Sequence, residues 1–198
     1  MKNITVVVTT FRRLENARII LGTLRNQRTK PVLFLWDNAG KDWDCGPVDW
    51  RIRSSPNSNC FGRWWMLSQA ETDYIMSIDD DLCPTGSRIL EKIIGFLETS
   101  SHSHIGPEGV ILKKEGQKRY SQGKQYFSGR TEATTQVDII KGRLMAMTPT
   151  NLKMSRLGEW STPAEDGLLV NTFYTSKIIP ALFFRGVKKI AGGGGGAL

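Results

Sequence analysis

Tyr74-Ile75-Met76-Ser77-Ile78-Asp79-Asp80-Asp81 is the stretch from which the architecture of this chain is most readily inferred. Its first five residues are typical of a buried β-strand, which the three aspartates end. Carboxylates this close repel one another, and the repulsion grows where the dielectric constant is low, so a nearby cation is expected to relieve it. Open α/β sheets bind ligands at the carboxyl ends of their strands. The pattern therefore favours a functional acidic site over the alternative, a solvated acidic turn.

Strand geometry predicts where the three carboxylates point. Side chains alternate between the two faces of an extended strand, so Asp79 and Asp81 are expected on one side and Asp80 on the other. Two carboxylates on one side form a hard-oxygen site suited to Mg2+ or Mn2+, which can also hold substrate phosphates. The spacing therefore predicts a metal site at the end of this strand.

Strands and helices alternate over the first hundred residues. Short apolar runs typical of buried strands lie at 4–8, 32–36 and 74–78, and a short third strand is expected at 51–53. Apolar residues recur at helical spacing over 14–24, 61–70 and 89–97. Thr85 or Ser87 is expected to cap the last of these helices. The alternation predicts an α/β fold with a mostly parallel central sheet covered on both faces.

Polar residues follow three of the predicted strands. They are Thr9 to Arg13 after the first, Asp37-Asn38 after the second, and Asp79 to Asp81 after the fourth. The carboxyl ends of parallel strands gather along one edge of a sheet. We therefore expect these three groups to converge on one site, and this convergence is stronger evidence than any one of them alone.

The second half of the chain is less regular. Short strands are expected at 110–112, 137–141, 144–147 and 178–184, and a short helix at 152–157. The stretch 113–136 is rich in Lys, Gly, Ser, Gln and Thr, which predicts a mobile surface excursion. His102 and His104 lie in a polar loop and are expected to face solvent. We predict one domain over 1–190 and a flexible glycine-rich tail over 191–198.

The composition indicates where the protein is expected to be located and which class of partner it is expected to bind. The 198 residues are 39% hydrophobic and 23% charged, which fits one globular domain with a sizeable core. No apolar run approaches the roughly 20 residues that span a bilayer, and the start shows no signal-peptide pattern. Three widely spaced cysteines imply neither a disulfide framework nor a zinc site, so a cytoplasmic location is expected. The net charge of +8 favours anionic partners: nucleotide phosphates, nucleic acid or an anionic membrane surface contacted peripherally.

Several motifs, taken in order, resemble those of the GT-A nucleotide-diphospho-sugar glycosyltransferases, in the family 2-like and exostosin-like group. They lie at 6–13 (VVVTTFRR), 35–40 (LWDNAG), 57–63, 70–81, 137–143 and 165–166, and span about residues 4 to 170. Thr9 and Arg12 stand where that family usually has Pro and Asn. The resemblance implies a GT-A (Rossmann-like) three-layer sandwich. It also implies a hexosyltransferase-type enzyme that uses Mn2+ or Mg2+ to move a sugar from a nucleotide-diphosphate donor, expected to be a UDP-sugar, to a glycan, lipid-linked or protein acceptor.

The resemblance further implies roles for individual residues. Those expected at the donor nucleotide are Thr9, Thr10, Phe11, Arg12, Asp37, Asn38, Arg63, Asp79 and Asp80. Those expected at the metal are Asp79 and Asp81, and those on the acceptor side are Asp138, Gly142, Arg143 and Trp64. Asp166 is expected to be the base that takes the acceptor hydroxyl proton, with Glu165 orienting it. Alternatively, this last pair complements a helix N-terminus, a role compatible with catalysis.

Three other readings of the sequence remain open. A haloacid-dehalogenase-like phosphatase also places aspartates after a strand, but it needs them on the first strand. A nucleotidyltransferase shares the overall fold, yet the glycine- and lysine-rich first loop is absent between Thr9 and Leu14. A basic nucleic-acid-binding domain would use the tryptophans and the positive charge. An acidic triad repels a phosphate chain unless metal is bound, so no nucleic acid partner is expected.

Overall fold

The computed structural model describes residues 2–58, 61–99, 104–111, 124–127, 135–137, 139–140, 142–153, 176–178 and 187–189. The helices are α1 (Leu14–Arg25), α2 (Phe61–Ser68), α3 (Ile89–Thr99) and α4 (Pro149–Lys153). The strands of the first half are β1 (Ile4–Thr10), β2 (Val32–Asp37), β3 (Trp50–Arg53), β4 (Tyr74–Asp79) and β5 (Leu82–Pro84). Those of the second half are β6 (His104–Gly106), β7 (Glu108–Ile111), β8 (Lys124–Phe127), β9 (Thr135–Val137), β10 (Ile139–Ile140), β11 (Leu144–Met147), β12 (Ser176–Ile178) and β13 (Val187–Lys189).

One large sheet organises these elements. Its strand order is β3-β2-β1-β4-β11-β6-β12-β9, and its first four strands run parallel. β11 is antiparallel to both of its neighbours, whereas β12 is parallel to β6 and antiparallel to β9. Two smaller sheets, β10-β7-β8 and β13-β5, accompany it. The mostly parallel central sheet that the sequence predicts is thus confirmed.

Helices cover the parallel half of this sheet on both faces. Val6 and Val8 of β1 point to one face and pack in a core with α1 and α3, while Val7 points to the other and packs with α2. Because both faces are covered, β1 is buried along its whole length. This explains why it reads as an uninterrupted β-branched run instead of an alternating one. The layers are helix, sheet and helix, as expected.

The parallel strands extend slightly further than the apolar runs indicate. In the ladder, Thr9 lies opposite both Trp36 and Asp79, and Thr10 lies opposite Asp37. Backbone pairing therefore continues into the first polar residues after each apolar run. The consequence is that the polar ends of β1, β2 and β4 lie side by side at one edge of the sheet.

The second half departs from the sequence predictions at three places. The predicted mobile excursion over 113–136 contains β8, which pairs with β7, and part of β9, which pairs with β12. Backbone ladders form these strands without an apolar pattern. The predicted strand over 137–141 is divided between β9 and β10. His104, predicted to face solvent, is fully buried in β6, where desolvation lowers the pKa of its imidazole to about 4.

Several other predictions fall wholly or partly outside the described residues. They concern the helix beyond residue 153, the strand beyond residue 178, His102 and the tail over 191–198. Within the described ranges, no helix combines the length and apolarity that crossing a bilayer requires.

The cap of α3 comes from a distant part of the chain. The side-chain oxygen of Gln27 accepts hydrogen bonds from the backbone N–H groups of Ile89 (3.0 Å) and Leu90 (3.5 Å). The amide nitrogen of Gln27 donates to the Gly86 carbonyl at 2.7 Å. Gln27 thereby satisfies N–H groups that have no partner within the helix. This contact also fixes α3 against the end of α1.

Candidate active site

The ends of β1, β2 and β4 converge, as the sequence predicts. The backbone N–H of Asn38 donates to the Thr10 carbonyl at 2.8 Å, which ties the end of β2 to the end of β1. On the other side, the backbone N–H of Asp79 donates to the Arg143 carbonyl at 2.8 Å. The turn before β11 therefore lies directly beside the three aspartates. Residues from four separate parts of the chain meet at this edge.

Asp79 forms an ion pair with Arg63, which lies on a helix packed against the sheet. Arg63, on α2, is almost fully buried and donates to a carboxylate oxygen of Asp79 at 2.5 Å, to Ser77 Oγ at 3.3 Å and to the Gly142 carbonyl at 3.0 Å. Desolvation raises the pKa of the Asp79 carboxyl to about 6, an effect that Arg63 partly offsets. Arg63 thus serves as a fixed positive charge beneath the site.

Asp80 turns to the opposite side and joins the loop after β1. It accepts hydrogen bonds from Thr10 Oγ1 at 2.9 Å, from the Phe11 backbone N–H at 3.3 Å and from the Arg13 guanidinium at 3.0 Å. Desolvation raises the pKa of its carboxyl, and the charge of Arg13 opposes that rise. Because it is 8% exposed and accepts from the last residue of β1 and from two residues of the β1–α1 loop, Asp80 fixes this loop to the end of β1.

Asp81 is the meeting point of two arginines. Arg143 donates to it through Nε at 3.2 Å and approaches it through Nη2 at 2.8 Å, while Arg13 Nη1 lies 3.4 Å away. The predicted alternation therefore holds for Asp79 and Asp80 but does not extend simply to Asp81. β4 ends at Asp79, and the chain then turns. Arg13 consequently reaches both Asp80 and Asp81.

The acids at this edge outnumber the bases that face them. Arg143 also donates to Glu108 on β7, with Nη1 2.7 Å from Oε1. Among the described residues, four carboxylates (Asp79, Asp80, Asp81 and Glu108) thus face three guanidinium groups (Arg13, Arg63 and Arg143). The negative charge of Asp81 adds to desolvation in raising the pKa of Asp79. One further cation would balance the cluster.

Asp37 and Asn38 occupy a tighter environment than their sequence pattern suggests. Asp37 is fully buried and accepts from the Ala39 backbone N–H at 2.9 Å, from Trp43 Nε1 at 2.8 Å and from Arg51 Nη2 at 2.6 Å. The side-chain oxygen of Asn38 accepts from its neighbours, Trp36 and Ser58. Both residues shape the end of β2, and because Asp37 has no exposed surface, a nucleotide base could not reach its carboxylate in this conformation.

The other donor-side candidates lie around the first strand end. Phe11 is 37% exposed and stacks with Arg12, whose guanidinium carbon is 4.8 Å from the ring centroid. Thr9 is buried between Trp36 and Asp79, and its hydroxyl has no hydrogen-bond partner among the described residues. A partly exposed aromatic ring with a stacked cation beside the strand ends suits contact with a nucleotide base.

The two adjacent tryptophans of α2 differ in exposure, and the buried one is the residue that the acceptor-side prediction names. Trp64 is fully buried under the sheet, whereas Trp65 is 50% exposed and its ring packs near those of Trp36 and Trp50. Burial corrects the acceptor-side prediction for Trp64, because a side chain with no exposed surface cannot contact an acceptor in this conformation. Trp65 is the one that faces solvent.

The remaining predicted residues are placed only in part. Gly142 and Arg143 lie in the turn before β11, with the Gly142 carbonyl bonded to Arg63 and the Arg143 side chain bonded to Asp81. Asp138, Glu165 and Asp166 lie outside the described residues.

Two members of the charge cluster have no assigned partner in the sequence prediction. Arg13 belongs to the polar residues that are expected to converge on the site, and the excess of aspartates at one strand end predicts a compensating cation there. Glu108 has no sequence signal of this kind. It is brought near the Gly142-Arg143 turn by the pairing of β6 with β11 and of β7 with β10, which no local pattern reveals.

The acidic residues fit a metal that is shared with a ligand. Mg2+ at nucleotide sites takes one or two protein carboxylates, with substrate phosphates and water completing its coordination. In the part of the chain that the structure describes, no group of three or more His, Cys, Asp or Glu is arranged to hold a metal ion. Asp79 and Asp81 keep 27% and 17% of their side-chain surface exposed. This donor set suits an ion that arrives with a diphosphate and does not suit one held by protein alone.

Comparison with known proteins places the fold. No protein-family model and no curated protein sequence matches this chain. Among solved structures, it is similar to the mannosyltransferase PcManGT from Pyrobaculum calidifontis in complex with GDP-Man and Mn2+, with a TM-score of 0.62 and 15% identity over 91% of this chain and 55% of that one. It is also similar to S. aureus TarS 1-349, with a TM-score of 0.61 and 14% identity over 90% of this chain and 58% of that one.

A second structure of S. aureus TarS gives a TM-score of 0.62 at 13% identity, over 90% of this chain and 35% of that one. This chain therefore spans less than two thirds of the length of each of these structures. At such identities the likeness concerns the fold. The chain has the GT-A-like α/β fold of nucleotide-sugar glycosyltransferases.

Proposed function

We propose that this chain is a metal-dependent glycosyltransferase of the hexosyltransferase type. The observation that supports it most directly is the acid-rich edge where β1, β2 and β4 end, within a GT-A-like fold. The donor is a sugar linked to a nucleotide diphosphate. UDP is the nucleotide expected from the motif resemblance, and GDP is the one held in the PcManGT structure. The acceptor is a glycan, a lipid-linked sugar or a protein.

The reaction breaks the bond between the anomeric carbon and a diphosphate oxygen, and forms a bond between that carbon and an acceptor hydroxyl oxygen. Negative charge develops on the departing diphosphate, so positive charge placed in advance lowers the barrier. When bound, Mn2+ or Mg2+ would supply much of that charge as a Lewis acid. The residues that would hold it are Asp81 and Asp79.

The arginines of the cluster complete this electrostatic environment. Arg63 is fixed beneath Asp79 by three hydrogen bonds, so its charge needs no reorganisation during the reaction. Asp80 holds the β1–α1 loop, which carries Phe11 and Arg12 beside the strand ends. We assign that loop to the nucleotide. Its fixed position would let the ring of Phe11 stack on the base.

The proton of the acceptor hydroxyl needs a base within hydrogen-bond reach. We assign this role to Asp166, with Glu165 orienting it, on the motif resemblance. As a prediction, Asp166→Asn keeps donor binding and loses turnover, measured as release of free nucleotide from the sugar donor that binds. Retained turnover in that variant would reject Asp166 as the base.

Donor binding is tested by thermal unfolding with UDP and GDP, each with and without Mn2+. A ligand that binds only the folded state stabilises it by mass action, by about 2.7 kcal/mol when its concentration is 100 times the dissociation constant. We expect one nucleotide to raise the melting temperature only when Mn2+ is present. Asp81→Asn should lose most of this rise.

The matched control is Glu98→Gln. Glu98 is a carboxylate paired with Lys2, which precedes β1, so this variant removes an acid from an ion pair at the opposite edge of the sheet. It should keep the full Mn2+-dependent rise. No rise with either nucleotide in the parent protein, or equal rises with and without Mn2+, would contradict the proposed function.

A further inference from the structure

Arg143 occupies a position that the donor and the metal would both require. Its backbone carbonyl accepts from the Asp79 N–H, which fixes the residue beside the end of β4. Its guanidinium bridges Asp81 and Glu108, and its side chain is 25% exposed. The motif resemblance placed Arg143 on the acceptor side, but these contacts place it at the carboxylate expected to bind the metal.

A metal ion bound at Asp81 would compete with Arg143 for the carboxylate of that residue. Nε of Arg143 lies 3.2 Å from one oxygen of Asp81, and Nη2 lies 2.8 Å from the other. Both oxygens therefore face the guanidinium. A cation can reach Asp81 fully only if Arg143 withdraws from it. Withdrawal also removes the like-charge repulsion between the guanidinium and the ion.

Glu108 determines where Arg143 goes when it withdraws. Its Oε1 lies 2.7 Å from Nη1 of Arg143, on the side of the guanidinium away from the Nε contact. The second oxygen of Glu108 is buried and accepts no hydrogen bond from the described residues. Glu108 can therefore retain Arg143 after Asp81 is lost, which leaves Nε and Nη2 to find a new acceptor within the site.

We infer that Arg143 is a diphosphate-binding residue that exchanges Asp81 for phosphate oxygens when the metal and the donor bind, and that Glu108 is its positioning residue. The inference rests on the proposed function. Guanidinium groups bind phosphate through parallel hydrogen bonds, which suits the two nitrogens that Asp81 releases. The exchange keeps every charge paired: the ion neutralises Asp81, Arg143 neutralises phosphate, and Glu108 keeps Arg143 in place.

The experiment compares two binding measurements that the inference moves in opposite directions. Binding of Mn2+ alone is followed by electron paramagnetic resonance of the free ion, and binding of UDP and GDP in the presence of Mn2+ by titration calorimetry. Arg143→Gln removes the competitor, so it should bind Mn2+ alone about threefold or more tightly. The same variant should bind the Mn2+–nucleotide about tenfold more weakly, because a charge-assisted contact is lost.

Glu108→Gln provides the opposite case. It leaves Arg143 with Asp81 as its carboxylate partner, so Mn2+ alone should bind more weakly than to the parent protein. The nucleotide with Mn2+ should also bind more weakly, because Arg143 is no longer held in place.

The double variant Arg143→Gln, Glu108→Gln leaves no unpaired glutamate and should show the same tenfold loss of nucleotide binding. Arg28→Gln, which removes an arginine from an exposed pair that follows the end of α1, should change neither measurement.

The outcomes separate this inference from the proposed function. If the parent protein binds no nucleotide diphosphate with Mn2+, the proposed function is overturned and this inference falls with it. If the parent binds one and both Arg143→Gln and the double variant bind it equally well, only the inference is overturned. If Arg143→Gln and Glu108→Gln weaken Mn2+ binding alike, the bridge is merely structural and the inference is overturned. Opposite changes in Mn2+ binding, with loss of nucleotide binding in both variants, support it.

Discussion

The ends of β2 and β4 share one sequence pattern, a carboxylate directly after a buried run, and differ in what surrounds it. Asp37, at the end of β2, is fully buried and accepts hydrogen bonds from Ala39, Trp43 and Arg51. Asp81, which follows β4, is partly exposed and shares its arginines with other carboxylates. The negative charge of Asp37 is compensated by protein donors. Around Asp81, four carboxylates face three guanidinium groups among the described residues, so one negative charge is left uncompensated.

The surroundings of these two residues distinguish a structural carboxylate from a ligand-binding one. A buried carboxylate that already accepts hydrogen bonds from several protein donors is not stabilised much further by a ligand. Those donors already compensate the cost of removing it from water. A group of carboxylates with too few cations gains from any cation that it can bind. Sequence pattern alone cannot separate the two, because the donors come from other elements.

The largest expected effect is on stability, from the same substitution at the two strand ends. Asp37→Asn leaves Arg51 without its buried charge partner and should lower the free energy of unfolding by about 3 kcal/mol, at the low end for a buried pair because Arg51 keeps some solvent contact. Asp81→Asn should cost much less, because it relieves the excess of acids. Urea denaturation measures both. Similar losses at the two positions would contradict the comparison.

A smaller loss of stability is expected from a substitution that disturbs the packing of α2 against Trp36 of β2. A Cβ added at Gly62 would lie 1.7 Å from Cε2 of Trp36, whose ring fills the space between β2 and α2. Gly62→Ala should therefore cost about 1–3 kcal/mol through overpacking. Gly95→Ala is the matched control, because a Cβ there meets nothing within 4 Å and alanine favours the helix. A Gly62→Ala variant as stable as the Gly95→Ala variant would show that this region is not closely packed.

A further effect is a pH dependence at the β4 end. The pKa of Asp79 is raised from 3.8 to about 6 in the folded protein. The folded state therefore binds more protons than the unfolded state in that window, so the contribution of Asp79 to stability is lost as pH rises from about 4 to 6. Subtracting the profile of Asp79→Asn isolates this term, measured without metal by denaturation at each pH.

The difference between parent and variant should fall with rising pH and be flat above and below the window. Subtraction is necessary because His104 contributes with the opposite sign. Its pKa is lowered from 6.5 to about 4, so its contribution is lost as pH falls through that range. A difference profile that rises with pH would show that Asp79 is not held in a desolvating environment.

The parallel half of the fold could be predicted from the sequence for a physical reason. β1 and β4 are buried on both faces, so their sequences are apolar runs, and α1 buries one face, so its apolar residues recur at helical spacing. These are local patterns. The convergence of Thr10, Asp37 and Asp79 then follows from parallel pairing alone.

What the sequence could not show depends on partners far along the chain. Gln27 caps α3 because α1 and α3 pack on the same face. β8 forms in a polar stretch because β7 supplies its hydrogen bonds. The arginines that pair with the aspartates come from the β1–α1 loop, from α2 and from the turn before β11, and no local pattern connects them.

The most direct test is a crystal of the protein grown with Mn2+ and the nucleotide diphosphate that stabilises it, with the ion located by its anomalous scattering. We predict an ion about 2.1 Å from a carboxylate oxygen of Asp81, within reach of Asp79 and both phosphates, and Asp37 still paired with Arg51. A bound diphosphate with no ion at Asp81, or an ion bound at Asp37 instead, would contradict the account.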